Sequence, residues 1–406
     1  MSVQLLAIKF NHDPNAATAD ALNIRRNAST FVTVPEWQRG VSVNPEDSPA
    51  AYALAQVNGH TVTIQANFKR TDPGLTTAEI RAVDPVYDPA PDVGCLPIIR
   101  WIIRGILRAL FGNVLGETTP RTVTFGVNGE TGFETFQLQN TKLDGALVGQ
   151  RTTTWRWQYR LNPGDPWTEF DVSHHRVYLV LDLPTAPWQQ QPYQSTNVQL
   201  PWTEALDYAC TWASLTSDEV GSASAVTRKV YELGPGTVSY DCPGGGSTHY
   251  ANGVFNCTAF IERLKGGMGN GYRVNCTDCA TFVSTFANLL GCDLWQSRMF
   301  GSSSFGLNPM LGIGSNVWQP CCGWSGFSYH EVPWKGGCTA NDTIYDACLQ
   351  VDGDVDPTSA PHTALLPCNM RFGDPGDGDY RDRLSTPAGR PHCNPQPGTR
   401  QRRALI

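Results

Sequence analysis

The chain has 406 residues, enough for two or three domains, and 40 % apolar content, enough for packed cores. A net charge of −7, with basic residues dominating no domain-sized stretch, excludes nucleic acid as the main partner. Frequent Gly (39) and Pro (29) with sparse charge favour a β-rich, loop-rich architecture.

In chain order, residues 1–57 carry little periodic signal and read as an extended N-terminal arm, suited to packing on another subunit, with a short helix near Ser48–Leu54. From 58 the pattern changes. Val62, Ile64, Ala66 and Phe68 alternate as a half-buried strand does, and further strands are expected at Val123–Val127, Phe133–Leu138, Thr152–Tyr159 and Arg176–Asp182. Trp155, Trp157 and Tyr159 share one strand face, over a sandwich core. These strands predict one antiparallel, Ig-like β-sandwich over 58–185.

An apolar helix is expected to interrupt it at about 95–111, with Arg100, Arg104 and Arg108 stacked along one side. That stretch is too short and too charged to span a bilayer. Residues 96–111 could pack on their own domain, dock in a partner's groove or lie in a membrane surface. The Pro- and Gln-rich run 186–201 reads as a linker.

Helical patterns follow at Thr203–Leu215 and Ala223–Leu233, the second stopped by Gly234-Pro-Gly236. Asp241-Cys-Pro-Gly-Gly-Gly-Ser247 is a flexible loop without the Lys and Ser/Thr of a phosphate loop, suited to bordering a substrate cleft. Cys276–Leu290 is apolar nearly all round and predicts a buried helix. Phe300–Gly326 reads as a long loop, followed by strands carrying His330 and Asp346. The Asp352-Gly-Asp354-Val-Asp356 run lacks the distal glutamate of a calcium loop and reads as a turn. Residues 371–406 form an Arg-rich tail whose last dozen residues are expected to be loosely ordered or partner-bound.

There are 13 cysteines, so at least one thiol is unpaired within a monomer. The opening Met1–Phe10 lacks a charged n-region, a long apolar run and a cleavage site. The expectation is a cytoplasmic protein with thiols mostly free, export by a signal-peptide-independent route being left open. Cys276-Thr-Asp-Cys279 has zinc-like spacing, but adjacent Cys321-Cys322 make a poor second ligand pair. No cofactor and no metal are expected.

The chemistry centres on Cys276. A cysteine opening a helix has unpaired N–H groups and the positive dipole end beside its sulfur. Only the thiolate attacks carbonyls well, and a neighbouring imidazole can take its proton. His330 supplies that imidazole, and Asp346 a carboxylate to hold its tautomer. Cys279, one helical turn later, is the alternative nucleophile.

Cys276, Asp278, Ala280 and Gly291, then His330-Glu331-Val332, then Asp346 sixteen residues on, resemble the transglutaminase-like superfamily of the papain-like cysteine enzyme fold. Ala225–Gly234 resembles that family's helix leading into the catalytic core. The likeness covers residues 200–370, under half of the chain, and lacks the family's usual aromatic after the histidine. Asp278-Cys279-Ala-Thr-Phe282-Val283 also resembles the start of bacterial cell-wall amidases of the papain-like group, in which Cys279 would be the nucleophile.

The resemblance implies an α+β catalytic domain over 202–370 behind the sandwich. It also implies a Cys276-His330-Asp346 triad acting on peptide or glutamine side-chain amides through a thioester. A hydrolase (thiol protease or deamidase) and an acyltransferase (transglutaminase) both fit that triad. The substrate would be a protein or peptide. A different class stands beside it: a non-catalytic binding or assembly protein using the sandwich, the arm and the apolar helix as interfaces.

Overall fold

A computed structural model describes residues 2–12, 20–85, 112–189 and 199–406. The Arg-striped segment 96–111 and residues 190–198 of the expected linker lie outside the described residues. The chain divides into two compact units, one built on Thr30–Leu183 with the N-terminal residues, the other on Thr196–Ile406 with Pro184–Gln189. Both α-helix and β-strand are present, with strands in the majority. No helix among the described residues is long and apolar enough to cross a membrane.

The first unit is a two-layer β-sandwich. Its strands are β1 (Val3–Lys9), β2 (Trp37–Gln38), β3 (Pro49–Ala53), β4 (Thr63–Arg70), β5 (Thr77–Val83), β6 (Glu117–Thr118), β7 (Arg121–Thr124), β8 (Glu130–Gln139), β9 (Gly149–Arg160) and β10 (Thr168–Val180). One sheet has the order β2-β1-β4-β8-β6, the other β3-β10-β9-β5-β7. Alternation puts Ile64, Ala66 and Phe68 of β4 and Trp155 and Trp157 of β9 into one core. The buried indoles keep their N–H groups bonded, Trp155 to Gly116 O at 2.9 Å and Trp157 to Ser173 Oγ at 3.0 Å.

Three sequence expectations change here. The described part of the expected arm 1–57 is not free, because β1 pairs along β4 and its Val3, Leu5 and Ile8 enter the core. Pro49–Ala53 form strand β3 and only Leu54–Val57 are helical: pairing with β10, which buries the whole strand, overrides alanine's helix preference. That pairing is parallel, so the sandwich is not purely antiparallel.

The second unit is built around one helix. Its helices are α1 (Thr203–Trp212), α2 (Glu219–Tyr231), α3 (Cys257–Leu264), α4 (Cys276–Leu289) and α5 (Tyr380–Leu384). Its main sheet contains β11 (Trp295–Phe300), β12 (His330–Lys335), β13 (Thr343–Ile344), β14 (Met370–Arg371) and β15 (Asn394–Pro395), in the antiparallel order β14-β13-β12-β11-β15. Every residue of α4 is buried, and α1, α2 and β12 pack on it. Gly291, at φ +95°, ends the helix in a conformation that side-chain-bearing residues rarely adopt.

The described ends of the expected linker are held rather than free: Trp188 is buried and donates to Thr285 O of α4 at 2.8 Å. The tail differs in the same way. Tyr380 and Leu384 of α5 are buried, β15 completes the sheet, and Leu405 pairs with Phe255. Arg390 and Arg403 find buried acidic partners, so the charge count by itself misled.

Candidate active site

The start of α4 is fixed by a reciprocal cap. Asn275 Oδ1 accepts from the Asp278 N–H at 3.0 Å, and the Asp278 carboxylate accepts from the Asn275 N–H at 3.1 Å. Asp278 also accepts the N–H groups of His249, Tyr250 and Ala251 at 2.9, 2.8 and 2.9 Å. Burial, its largest influence, outweighs these donors and holds its carboxyl above the ordinary range. The aspartate two residues after Cys276 therefore ties the preceding loop to the helix start.

Cys276, the first residue of α4, is only 5 % exposed and lines an open cleft of about 360 Å³. Tyr240, Gly246, Trp324, Phe327 and Tyr329 line it too, and among the described residues the lining carries no charged side chain. Gly246 sits at φ +77°, and a Cβ there would lie 3.3 Å from the Trp324 ring. Trp324 in turn packs edge-on against Tyr240, with ring centroids 6.0 Å apart. A disulfide joins Cys242 to Cys322, linking the two chain segments that carry these rings. Among the described residues the other ten cysteines form no disulfide.

His330 opens β12 opposite Met299 and is fully buried. Its Nε2 lies 2.9 Å from Asp346 Oδ2, and the Phe327 ring stacks on it at 5.4 Å between centroids. Both oxygens of Asp346 are committed: Oδ2 also accepts from the Tyr380 hydroxyl at 2.7 Å, and Oδ1 from the Cys348 N–H at 2.7 Å. Burial, the largest influence on the His330 ring, favours its neutral form. Asp346, by charge and hydrogen bond, and then Cys276 outweigh it and push the pKa up to about 10. Cys276 is thus within interaction range of His330, and the three residues far apart in the chain are brought together.

This shift gives an expected pH dependence. The folded value lies above the ordinary 6.5, so the stabilisation from protonated His330 is complete below about pH 6.5 and is lost as pH rises through about 10. Urea midpoints should fall across that window, and His330→Gln should flatten the fall. An equal slope in wild type and variant would refute this.

Cys279 is placed differently. It is buried to 1 % exposure and does not line the cleft. A hydrogen bond with Cys348 favours its thiolate, but burial and the charges of Asp278 and Asp346 raise its pKa on balance. Cys322, in its disulfide, is unavailable to a zinc pairing with Cys276 and Cys279. Among the described residues no group of three or more His, Cys, Asp or Glu is arranged for a metal ion. Asp352 accepts from the Asp354 and Thr363 N–H groups at 3.0 and 2.9 Å, so the Asp-rich run 352–356 forms a turn.

Sequence reading missed Tyr380 and Phe327 as neighbours of these groups, whereas Trp324 stands in the 300–326 loop expected near the cleft. Nothing local marks Tyr380, which lies 34 residues beyond Asp346 in the stretch read as a tail. Phe327, three residues before His330, directly follows the expected loop 300–326 and carried no signal of its own.

No family model matches the chain, and no curated protein matches it. Among solved structures it is similar to the crystal structure of red sea bream transglutaminase, at 12 % identity and a TM-score of 0.34, over 82 % of this chain and 51 % of that one. The chain therefore spans about half the length of that enzyme. A superposition of that quality decides neither fold nor chemistry, which rest on the residues themselves.

Proposed function

We propose that the second unit is a cysteine enzyme that opens amide bonds through a thioester, with Cys276 as nucleophile, His330 as proton carrier and Asp346 as its orienting carboxylate. The observation that carries this reading is the His330 ring, bonded to Asp346 at 2.9 Å and within interaction range of Cys276 at an uncharged cleft. The Cys276 sulfur attacks the amide carbon. As the first helical residue, Cys276 offers an N–H with no acceptor inside the helix to the developing oxyanion. His330 then protonates the departing nitrogen, the C–N bond breaks and the acyl group stays on sulfur.

Water or an amine, deprotonated by His330, resolves the thioester and releases the thiol. Hydrolysis is the default outcome, because transfer needs water excluded and an amine admitted. Peptide or glutamine side-chain amides are the proposed substrate class. Cys276 is favoured over Cys279 because only Cys276 lines the cleft.

The test is labelling with limiting iodoacetamide at pH 6, mapped by mass spectrometry. Selective modification of Cys276 is expected. Slow, uniform labelling of many sulfurs would return the chain to the non-catalytic binding class.

A further inference from the structure

We propose that Arg403, Glu331 and Thr277 form a clamp that fixes Cys276 against His330, with Arg403 as a positioning residue supplied by the C-terminal segment. The proposal deepens, and rests on, the reading of Cys276 and His330 as reacting groups.

Thr277 follows Cys276, and Glu331 follows His330. The Thr277 hydroxyl donates to Glu331 Oε2 at 3.0 Å, so one carboxylate joins the start of the helix to the start of the strand. Glu331 is fully buried, and Arg403 has 4 % of its side chain exposed. Arg403 grips both carboxylate oxygens, Nη1 to Oε1 at 2.6 Å and Nη2 to Oε2 at 3.2 Å. A forked pair of this kind fixes direction as well as distance. Arg298, opposite Glu331 on β11, adds a bond from Nε at 3.2 Å.

Arg403 reaches further. Its Nη1 donates to Gln296 Oε1 at 2.5 Å and to Thr281 Oγ1 at 3.2 Å, one helical turn beyond Thr277. One guanidinium therefore spans α4, β11 and β12. The chain end is held on both sides of it. Gln401 and Gln296 exchange backbone hydrogen bonds at 2.9 and 3.0 Å, and the Phe255 N–H donates to Ala404 O at 2.8 Å. Arg403 keeps the buried Glu331 carboxylate paired, and α4 cannot slide along β12 without breaking the Thr277 and Thr281 hydroxyl bonds to this pair. The mechanism leaves Glu331 no chemical task, and the clamp gives it a geometric one.

A purely structural ion pair would lower stability without changing how strongly Cys276 reactivity depends on pH. The deciding measurement is the ratio of Cys276 alkylation rates at pH 6 and pH 9. In wild type the ratio should stay high, because His330 beside the sulfur can take its proton. Thr277→Val removes only the link from carboxylate to helix and keeps the side-chain shape. It should retain native circular dichroism and lose about tenfold in the ratio, as ångström-scale misplacement does. Arg403→Lys should fall between wild type and that variant.

Arg403→Met with Glu331→Met keeps the site packed without a stranded charge and should show the same loss. Wild-type ratios in Thr277→Val and in the double variant, whatever their stability, would overturn the clamp. Should wild-type Cys276 itself not label selectively, the enzyme reading fails and the clamp with it, a result distinct from unchanged ratios.

Discussion

Cys276→Ala is expected to abolish acyl-enzyme formation, a loss of at least about 10⁴-fold, because removing a nucleophile leaves only binding and oxyanion contacts. An activated ester reads this without knowledge of the natural substrate. Wild type should release one burst of p-nitrophenol per active site from p-nitrophenyl acetate, and the variant none. Cys279→Ala should keep the burst, because its sulfur is buried against Cys348 and outside the cleft lining. Its cost should instead appear as roughly 1 kcal/mol of stability, in the usual range for trimming a buried side chain. A burst that survives Cys276→Ala and vanishes with Cys279→Ala would transfer the role to the deeper thiol.

Asp346→Asn is expected to cost about 10³–10⁴-fold in the same burst rate, the effect of losing the carboxylate behind a catalytic imidazole. The reason is electrostatic. Asp346 is the largest influence raising the His330 pKa to about 10, and a neutral amide removes that charge while burial continues to favour the unprotonated ring. The pH at which His330 loses its proton, read from its ring resonances by NMR, should therefore move down from about 10 towards, or below, the ordinary histidine value. Tyr380→Phe removes one of two donors to Asp346 Oδ2 and should cost about tenfold or less. An unchanged His330 titration in Asp346→Asn would show that His330 does not depend on this carboxylate for its proton.

Much of this site was legible before any coordinates, because its signals are local. The apolar circumference of 276–290 predicts a buried helix, and α4 is buried along its whole length. The alternation at 62–68 predicts a strand, and β4 supplies it. Where the chain departed from expectation, the local signal was broken or ambiguous. Val3, Leu5 and Ala7 alternate, but a register shift between Leu5 and Ala7 brings Ile8 inward and disturbs the two-residue period. The alanines of 49–53 favour a helix by themselves and become a strand only because β10 offers a buried edge.

The order cysteine, histidine, aspartate and the residue types they need were written in the sequence, because reactivity requires particular side chains and a helix start is a local event. Their separation in space was not. The uncharged cleft, the commitment of both Asp346 oxygens to Tyr380 and Cys348, the burial of Cys279 and the docking of Arg403 on Glu331 and Thr281 join residues up to 122 positions apart. No periodicity encodes such pairs, since each is selected only once helix, sheet and chain end have packed and a buried charge must find its counter-charge.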